Sequence, residues 1–219
     1  MTCIGYIGEE IYDIILYISR TLSRLNCRVL IIDFTGSNAM SKAIHHGMDL
    51  DSSSGIIHYR GISYIRRRPE QEEMEPYTSG VVFVLFGYDY RKEVFPCDKL
   101  VAVMNPFPHI VDKINFCINE LDLPQNRMHI LIRDVISIDD AEQVKNKIEF
   151  LYEDEPVNYL YLELADYICA ARCQETQTIN FENISSGLKN YILYSIRRML
   201  PELSTDRIRK AMRSARKGR

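Results

Sequence analysis

The chain has 219 residues, of which 46% are apolar and 26% charged, a composition typical of a soluble globular protein with a full hydrophobic core. No apolar run approaches the roughly 20 residues that cross a bilayer, and no secretory signal opens the sequence, so we expect a cytoplasmic location. The net charge of −3 is unevenly distributed, because segment 207–219 holds seven basic and no acidic residues and leaves −10 on residues 1–206.

Short apolar runs alternate with segments of helical period, which predicts βαβ units and an α/β fold: a doubly wound, mainly parallel sheet between two helical layers. The runs are apolar at consecutive positions, as in central strands that are covered on both faces. The predicted strands are Cys3–Ile7, Val29–Phe34, Val81–Phe86, Leu100–Met104, His129–Ile132 and Asn158–Leu162. The predicted helices are Glu9–Leu25, Asn38–His46, His109–Leu121, Asp139–Leu151, Glu163–Cys173 and Ile184–Leu200.

Two segments depart from this alternation. Gly55–Arg66 predicts a two-stranded hairpin turning at Arg60-Gly61, and the charged Arg67–Thr78 predicts an exposed loop. Near the end, Pro201 interrupts the last helix and a short basic helix restarts after it. We therefore expect an α/β domain over 1–200 and a basic C-terminal helix or tail over 201–219.

Six cysteines are scattered through apolar segments, which favours free buried thiols over a disulfide framework. Cys169 and Cys173 lie one helical turn apart, but a zinc site takes about four ligands and the neighbouring sequence offers no His and no further Cys. We expect no metal site.

The opening strand, helix and strand resemble the first third of a MinD/ParA-type P-loop ATPase of the SIMIBI class, and the order and spacing of elements extend the resemblance over about 1–200. In that family a Gly- and Lys-rich loop after the first strand neutralises phosphates with its amides and lysines. Here residues 8–13 read G-E-E-I-Y-D, so only Gly8 remains, and Glu9 and Glu10 would repel a triphosphate. The resemblance thus implies a degenerate member without a Walker A loop.

Three further family positions test this interpretation. Asp33 matches the aspartate that handles water and magnesium, although Thr35 beside it also favours a simple cap. Aligned on Gly87, Leu85 stands where a metal-ordering aspartate belongs, and residues 132–134 replace the base-reading asparagine. Because one motif of four remains, we predict a pseudo-ATPase with no catalytic residues and no bound cofactor.

Two nucleotide-binding alternatives stay open. One is an active ATP-binding switch with a divergent loop. The other is a dinucleotide-binding enzyme that would use Gly5 and Gly8 as its turn and Asp33 as its ribose acid, although the full G-x-G-x-x-G is missing.

The C-terminal segment is mildly amphipathic, with Ile208, Met212 and Ala215 on one side. MinD-like proteins end in a membrane-targeting helix, so the resemblance implies contact with an anionic membrane or an acidic partner. DNA and a solvated tail are the alternatives. The candidate contact residues are Arg207, Arg209, Lys210, Arg213, Arg216, Lys217 and Arg219.

The CpaE/TadZ-like branch of the family includes members with poor or absent nucleotide loops. By this resemblance, the chain is a non-hydrolytic adaptor or localisation protein at the inner face of the membrane, and it binds a secretion or pilus ATPase. Family dimers meet across the nucleotide face, which implies a homodimer. A nucleic-acid-binding ParA relative is a less favoured alternative.

Overall fold

The computed structural model describes residues 1–37, 39–44, 55–89, 95–120, 128–150 and 157–216. Its strands are β1 (Thr2–Gly8), β2 (Val29–Asp33), β3 (Ile57–Tyr59), β4 (Ile62–Ile65), β5 (Val81–Gly87), β6 (Lys99–Met104), β7 (Met128–Val135) and β8 (Asn158–Tyr161). Its helices are α1 (Tyr12–Arg24), α2 (Ala39–Ile44), α3 (Gln71–Met74), α4 (Pro108–Asn119), α5 (Ile138–Lys145), α6 (Leu164–Thr176), α7 (Ser186–Met199) and α8 (Thr205–Ala215).

The strands form one sheet in the order β3-β4-β2-β5-β1-β6-β7-β8, and every neighbouring pair is parallel except β3 and β4. The predicted α/β fold with a mainly parallel sheet is therefore confirmed. The predicted hairpin is also confirmed, because β3 and β4 pair antiparallel around Arg60 and Gly61, whose φ angles of 49° and 79° suit a tight hairpin turn.

Helices cover both faces of the sheet and create two core layers. Along β1, Ile4 and Tyr6 belong to the layer under α1 and α7, whereas Cys3 and Ile7 belong to the layer under α4. Successive side chains of a strand point to opposite faces, so two buried faces require consecutive apolar residues. This explains the unbroken apolar runs in the sequence.

Helix α1 is buried around its whole circumference, from Asp13 to Leu22. Helices α7 and α8 pack against it, and Ile208 and Met212 of α8 lie in the same core layer as α1. Helix α1 therefore lies between the sheet and the two C-terminal helices.

Local boundaries differ from the predictions in several places. Helix α1 begins at Tyr12 rather than at Glu9, with Ile11 as its N-cap. The predicted exposed loop Arg67–Thr78 is wrong in part, because it contains α3, a short 3-10 turn and the buried Tyr77. Glu73 forms a capping box with Glu70 and an ion pair with Arg67 at 2.7 Å, and these hydrogen bonds lower the pKa of Glu73 to about 2.

The predicted second helix, Asn38–His46, is present over Ala39–Ile44, and its remaining residues lie outside the described ranges. Leu121, the predicted end of a third helix, also lies outside them. The predicted helix Asp139–Leu151 is too long, because α5 ends at Lys145 and residues 146–150 are not helical. Within the described ranges, no helix combines the length and the apolar character that crossing a bilayer requires.

Candidate functional site

The candidate site lies at the carboxyl ends of the central strands, where the turn from β1 to α1 begins at Gly8. Gly8 has a φ of 103°, and a Cβ there would lie 2.3 Å from the Val103 carbonyl oxygen. The next amide, that of Glu9, donates to the same Val103 oxygen at 2.9 Å. This amide belongs to the stretch that a P-loop would offer to phosphate, but here it bonds to β6.

The sequence predicted Glu9 in the first turn of the helix, but Glu9 lies before the helix. There its carboxylate bonds to residues of two neighbouring loops. The Tyr88 hydroxyl after β5 donates to one carboxylate oxygen, and the Asn105 amide after β6 donates to the other at 3.4 Å. Burial, followed by the hydrogen bond to Glu9, raises the pKa of Tyr88, so its hydroxyl stays a donor. Lys113 Nζ lies 3.5 Å from the centre of the Tyr88 ring.

Glu10 connects the same turn to the opposite side of the site. Its carboxylate accepts a hydrogen bond from the Ser37 hydroxyl in the loop after β2. Its backbone carbonyl accepts one from Arg133 at 3.1 Å. The two glutamates therefore tie the β1–α1 turn to the ends of β2, β5, β6 and β7.

Arg133 lies beside the amino end of α1 and neutralises the buried Asp13. Its guanidinium is 3.4 Å from Asp13 Oδ1 and 3.2 Å from Asp134 Oδ2, and the Asp13 side chain is only 4% exposed. Burial alone would lower the pKa of Arg133, but the charges of Asp13 and Asp134 outweigh burial and raise it. A permanent cation of the protein thus lies next to the turn that carries Glu10.

Asp33 is fully engaged within the protein at the end of β2. One carboxylate oxygen accepts hydrogen bonds from the Thr35 amide at 2.9 Å and the Thr35 hydroxyl at 2.7 Å. The other accepts one from the Tyr64 hydroxyl at 2.9 Å. Burial, followed by the Asp33 charge, raises the pKa of Tyr64. The side chain of Asp33 closes the turn after β2, while Ser37 accepts from the Ala39 amide at the start of α2.

The fold brings the six predicted positions of the degenerate loop together. Leu85 is buried beside Asp33, its partner in the β2–β5 register, and Gly87 ends β5 with a φ of 60°. A cavity of about 10 Å³ remains between Glu9, Glu10, Leu85 and Gly87. This volume is at the lower limit of the roughly 10–15 Å³ that one water molecule needs, so side chains fill most of the space beside Glu9 and Glu10.

Sequence reasoning missed the donors that engage the two glutamates: Ser37, Tyr88 and Asn105. Each lies just beyond a strand end, and parallel strands bring their carboxyl ends to one edge of the sheet. The sequence signal for these donors is therefore a polar residue shortly after the end of each of several predicted strands. In the described part of the chain, no three His, Cys, Asp or Glu side chains converge in a way that could hold a metal ion.

Four of the basic C-terminal residues lie on α8. Arg207, Arg209, Lys210 and Arg213 are exposed, Arg216 is half-buried, and Lys217 and Arg219 lie outside the described residues. Ile208, Met212 and Ala215, the apolar side of this amphipathic segment, are buried in the core. The accessible side of α8 carries Arg207, Arg209, Lys210 and Arg213.

Comparison with known proteins places this architecture. No protein-family model matches the chain, and no curated protein sequence matches it. Among solved structures, the MinD cell division protein of Aquifex aeolicus superposes with a TM-score of 0.60 at 13% identity, covering 93% of this chain and 98% of that one.

Two further structures extend the comparison. A chain of the MinC:MinD cell division protein complex of the same organism gives a TM-score of 0.57 at 11% identity, covering 97% of this chain and 96% of that one. The structure of pNOB8 ParA bound to nonspecific DNA gives a TM-score of 0.54 at 11% identity, covering 98% of this chain and 99% of that one. The chain therefore has the fold of the MinD and ParA P-loop ATPases.

Proposed function

We propose that this protein is a non-hydrolytic relative of the MinD/ParA ATPases that works as an adaptor or localisation protein by binding other proteins. The observation that carries the proposal is the network around Glu9 and Glu10. Two carboxylates stand where a P-loop receives phosphate, and hydrogen bonds from three neighbouring loops and from strand β7 hold the turn that carries them.

Three features of the site support the absence of ATPase chemistry. The Glu9 amide is bonded to β6, Asp33 has both carboxylate oxygens engaged, and Leu85 offers no ligand to a metal. The glutamates supply negative charge in place of a bound anion, and their hydrogen bonds hold the loops in one arrangement without a ligand. Such a scaffold would present a constant surface to its partners.

Titration with ATP and magnesium tests the proposal. We expect no change in melting temperature at millimolar ATP, because like charges and the lack of space both oppose binding. A ligand at about 100 times its dissociation constant would add roughly 2.7 kcal/mol, which is on the order of 5–10 °C for a domain of this size. The measurement is thermal unfolding followed by intrinsic tyrosine fluorescence.

The double variant Glu9→Gln/Glu10→Gln is the matched control, since it removes the charge and keeps the shape. We expect it to bind no nucleotide either, because the cavity stays too small. A saturable shift in the wild type would refute the pseudo-ATPase and favour the active switch. If ATP raised the melting temperature of the double variant alone, charge repulsion would be what prevents binding in the wild type. The argument that the cavity is too small would then be wrong.

The assembly that the adaptor would serve follows from the CpaE/TadZ-like resemblance: a membrane-associated secretion or pilus system, with its ATPase as the partner. The homodimer across the nucleotide face stays a prediction of the same resemblance. A MinD in complex with MinC and a ParA bound to DNA share the fold, so protein and nucleic-acid partners are both compatible with it.

The exposed side of α8 provides a contact with an anionic membrane. Each Lys or Arg near an anionic surface contributes roughly 1 kcal/mol. We expect the chain to sediment with vesicles containing phosphatidylserine at low salt, and the variant with Arg207, Arg209, Lys210 and Arg213 changed to Gln to partition at least tenfold more weakly. These side chains are exposed, so the change preserves the core, whereas deleting α8 would expose α1.

The matched control changes Arg172 and Arg197 to Gln, which removes positive charge elsewhere. Equal partitioning of the wild type and the α8 variant would contradict membrane contact through α8. Retention on DNA that needs the α8 residues and falls steeply with salt, without vesicle binding, would instead favour the nucleic-acid-binding relative.

A further inference from the structure

Seven large apolar side chains are exposed in two short segments of the chain that meet at one end of the sheet. Ile136 and Leu164 are the most accessible, at 76% and 74%. We call this set the α6 surface; it consists of Ile136, Ile138, Tyr161, Leu162, Leu164, Tyr167 and Ile168. The degenerate nucleotide site and α8 use none of these residues.

The backbone makes the α6 surface continuous. Val135 and Tyr161 are register partners in the parallel pair β7–β8, and the Leu162 amide donates to the Val135 carbonyl at 2.9 Å. Leu164 and Ile168 are four residues apart in α6 and therefore share one side of the helix. Two strand ends and the first turns of α6 thus present their apolar side chains together.

The α6 surface is large for a patch on a single chain. Its residues are exposed by about one half on average, and with roughly 100 Å² for each Ile or Leu side chain and roughly 200 Å² for each Tyr they present on the order of 500 Å². The largest apolar patch of a typical monomer is about 300–600 Å² and is often functional. A standard protein interface buries about 800 Å² on each partner, so this surface could form the apolar centre of one.

The charges beside the α6 surface are mainly acidic. Asp134, Glu163 and Asp166 line a cleft of about 20 Å³ together with Tyr161 and Tyr167, which belong to the surface. Asp139 and Asp140 lie in the first turn of α5, next to Ile138. Arg133 also lines the cleft and pairs with Asp13 and Asp134, so the negative charge of the rim comes mainly from Glu163, Asp166, Asp139 and Asp140. Burial and the Asp134 charge raise the pKa of Tyr167, consistent with a negative potential there.

This charge pattern selects the kind of partner. In a symmetric dimer through this surface, the acidic rim of one copy would face the acidic rim of the other, and like charges at an interface cost several kcal/mol. A partner that brings Lys or Arg to the rim gains attraction instead. Apolar contacts in the centre with opposite charges at the rim form the usual anatomy of a protein interface.

We propose that the α6 surface binds an amphipathic helix of a partner protein, with an apolar side that covers Leu164 and Ile168 and with flanking Lys or Arg residues that face Glu163 and the other acidic residues of the rim. Helices dock on apolar surfaces through anchors at positions i, i+3 or i+4, and i+7. This inference deepens the proposed adaptor function and rests on it, because it assigns the partner to a specific surface.

A displayed library of helical peptides tests the inference with the full chain as bait. We expect enrichment of peptides with apolar residues at i, i+4 and i+7 beside Lys or Arg, and micromolar binding of a synthetic copy measured by fluorescence anisotropy. The double variant Leu164→Ser/Ile168→Ser should weaken binding about 30-fold or more, the loss typical of central interface side chains. Both side chains are exposed, so the variant should keep the fold.

Two control variants make the test specific. Phe116→Ser changes another exposed apolar residue, on α4 and outside the α6 surface, and should leave the affinity unchanged. Glu163→Gln should weaken binding and flatten its dependence on salt, because a rim charge acts through screened attraction.

Several outcomes would overturn the inference: no enrichment, enrichment of acidic or uncharged peptides, or binding that ignores the Leu164→Ser/Ile168→Ser change. Concentration-dependent self-association that this variant abolishes, seen by sedimentation velocity, would assign the surface to a second copy instead. The two experiments fail independently. A saturable rise in melting temperature with ATP would refute the pseudo-ATPase, but it would not change the result of the peptide-binding measurement at the α6 surface.

Discussion

Replacing Gly8 by alanine should lower the free energy of unfolding by about 3–5 kcal/mol. The φ of 103° is unfavourable for any residue with a Cβ, and the added methyl would lie 2.3 Å from the Val103 oxygen and 2.1 Å from Ile114 Cδ1. Relief requires β1 and β6 to move apart, which breaks the Glu9–Val103 hydrogen bond. Urea unfolding would measure the change, and the melting temperature should fall by roughly 6–20 °C.

Gly36→Ala is the matched control for this substitution. Gly36 lies in the loop after β2, and a Cβ there would have no neighbour within 4 Å. The Gly36→Ala substitution should change the free energy of unfolding by no more than about 0.5 kcal/mol. Equal stability of the Gly8→Ala variant and the wild type would contradict the geometry of the β1–α1 turn, and with it the argument that this turn has no room for phosphate.

The second large effect is expected for Arg133→Met. This substitution keeps most of the side-chain volume but leaves Asp13 buried without its cation, which typically costs about 3–5 kcal/mol. It also removes the hydrogen bond to the Glu10 carbonyl. Urea unfolding at neutral pH would measure the loss, and Arg172→Met, at an exposed position, is the control expected to stay within about 0.5 kcal/mol.

The double variant Asp13→Asn/Arg133→Met separates the charge from the packing. Because it removes both members of the pair, it should recover part of the stability that Arg133→Met loses, giving a coupling of at least about 1 kcal/mol in the cycle. Strict additivity of the two single changes would show that Arg133 does not act on Asp13. The position of Arg133 beside the β1–α1 turn would then need another explanation.

The degenerate loop illustrates how far local sequence reaches. Gly8 followed by Glu9 and Glu10 at the end of an apolar strand was sufficient to predict a turn without a Walker A motif, because residue type at that position fixes the charge. It did not show that the glutamates bond to Tyr88, Asn105 and Ser37. Those residues are 27 to 96 positions away in the chain, and only the parallel sheet brings them together.

Arg133 and Leu164 are two further residues whose surroundings the local sequence does not predict. The sequence predicted a strand His129–Ile132 that ends just before Arg133, but the pairing of Arg133 with Asp13, 120 residues earlier, depends on how β7 lies beside α1. Leu164 reads as an ordinary core residue at the start of a helix. Whether an apolar residue is buried depends on what covers it, and among the described residues it is 74% exposed.

By itself, the sequence determined the α/β class, the mainly parallel sheet, the hairpin β3–β4 and the acidic replacement of the phosphate-binding turn. These follow from periodicity, turn residues and charge, which act over a few neighbouring residues. Only the tertiary structure decided that α8 covers α1, that Asp33 is engaged by Thr35 and Tyr64, and that the α6 surface is open. These depend on contacts between distant segments, which form when the sheet sets the relative positions of its strands and helices.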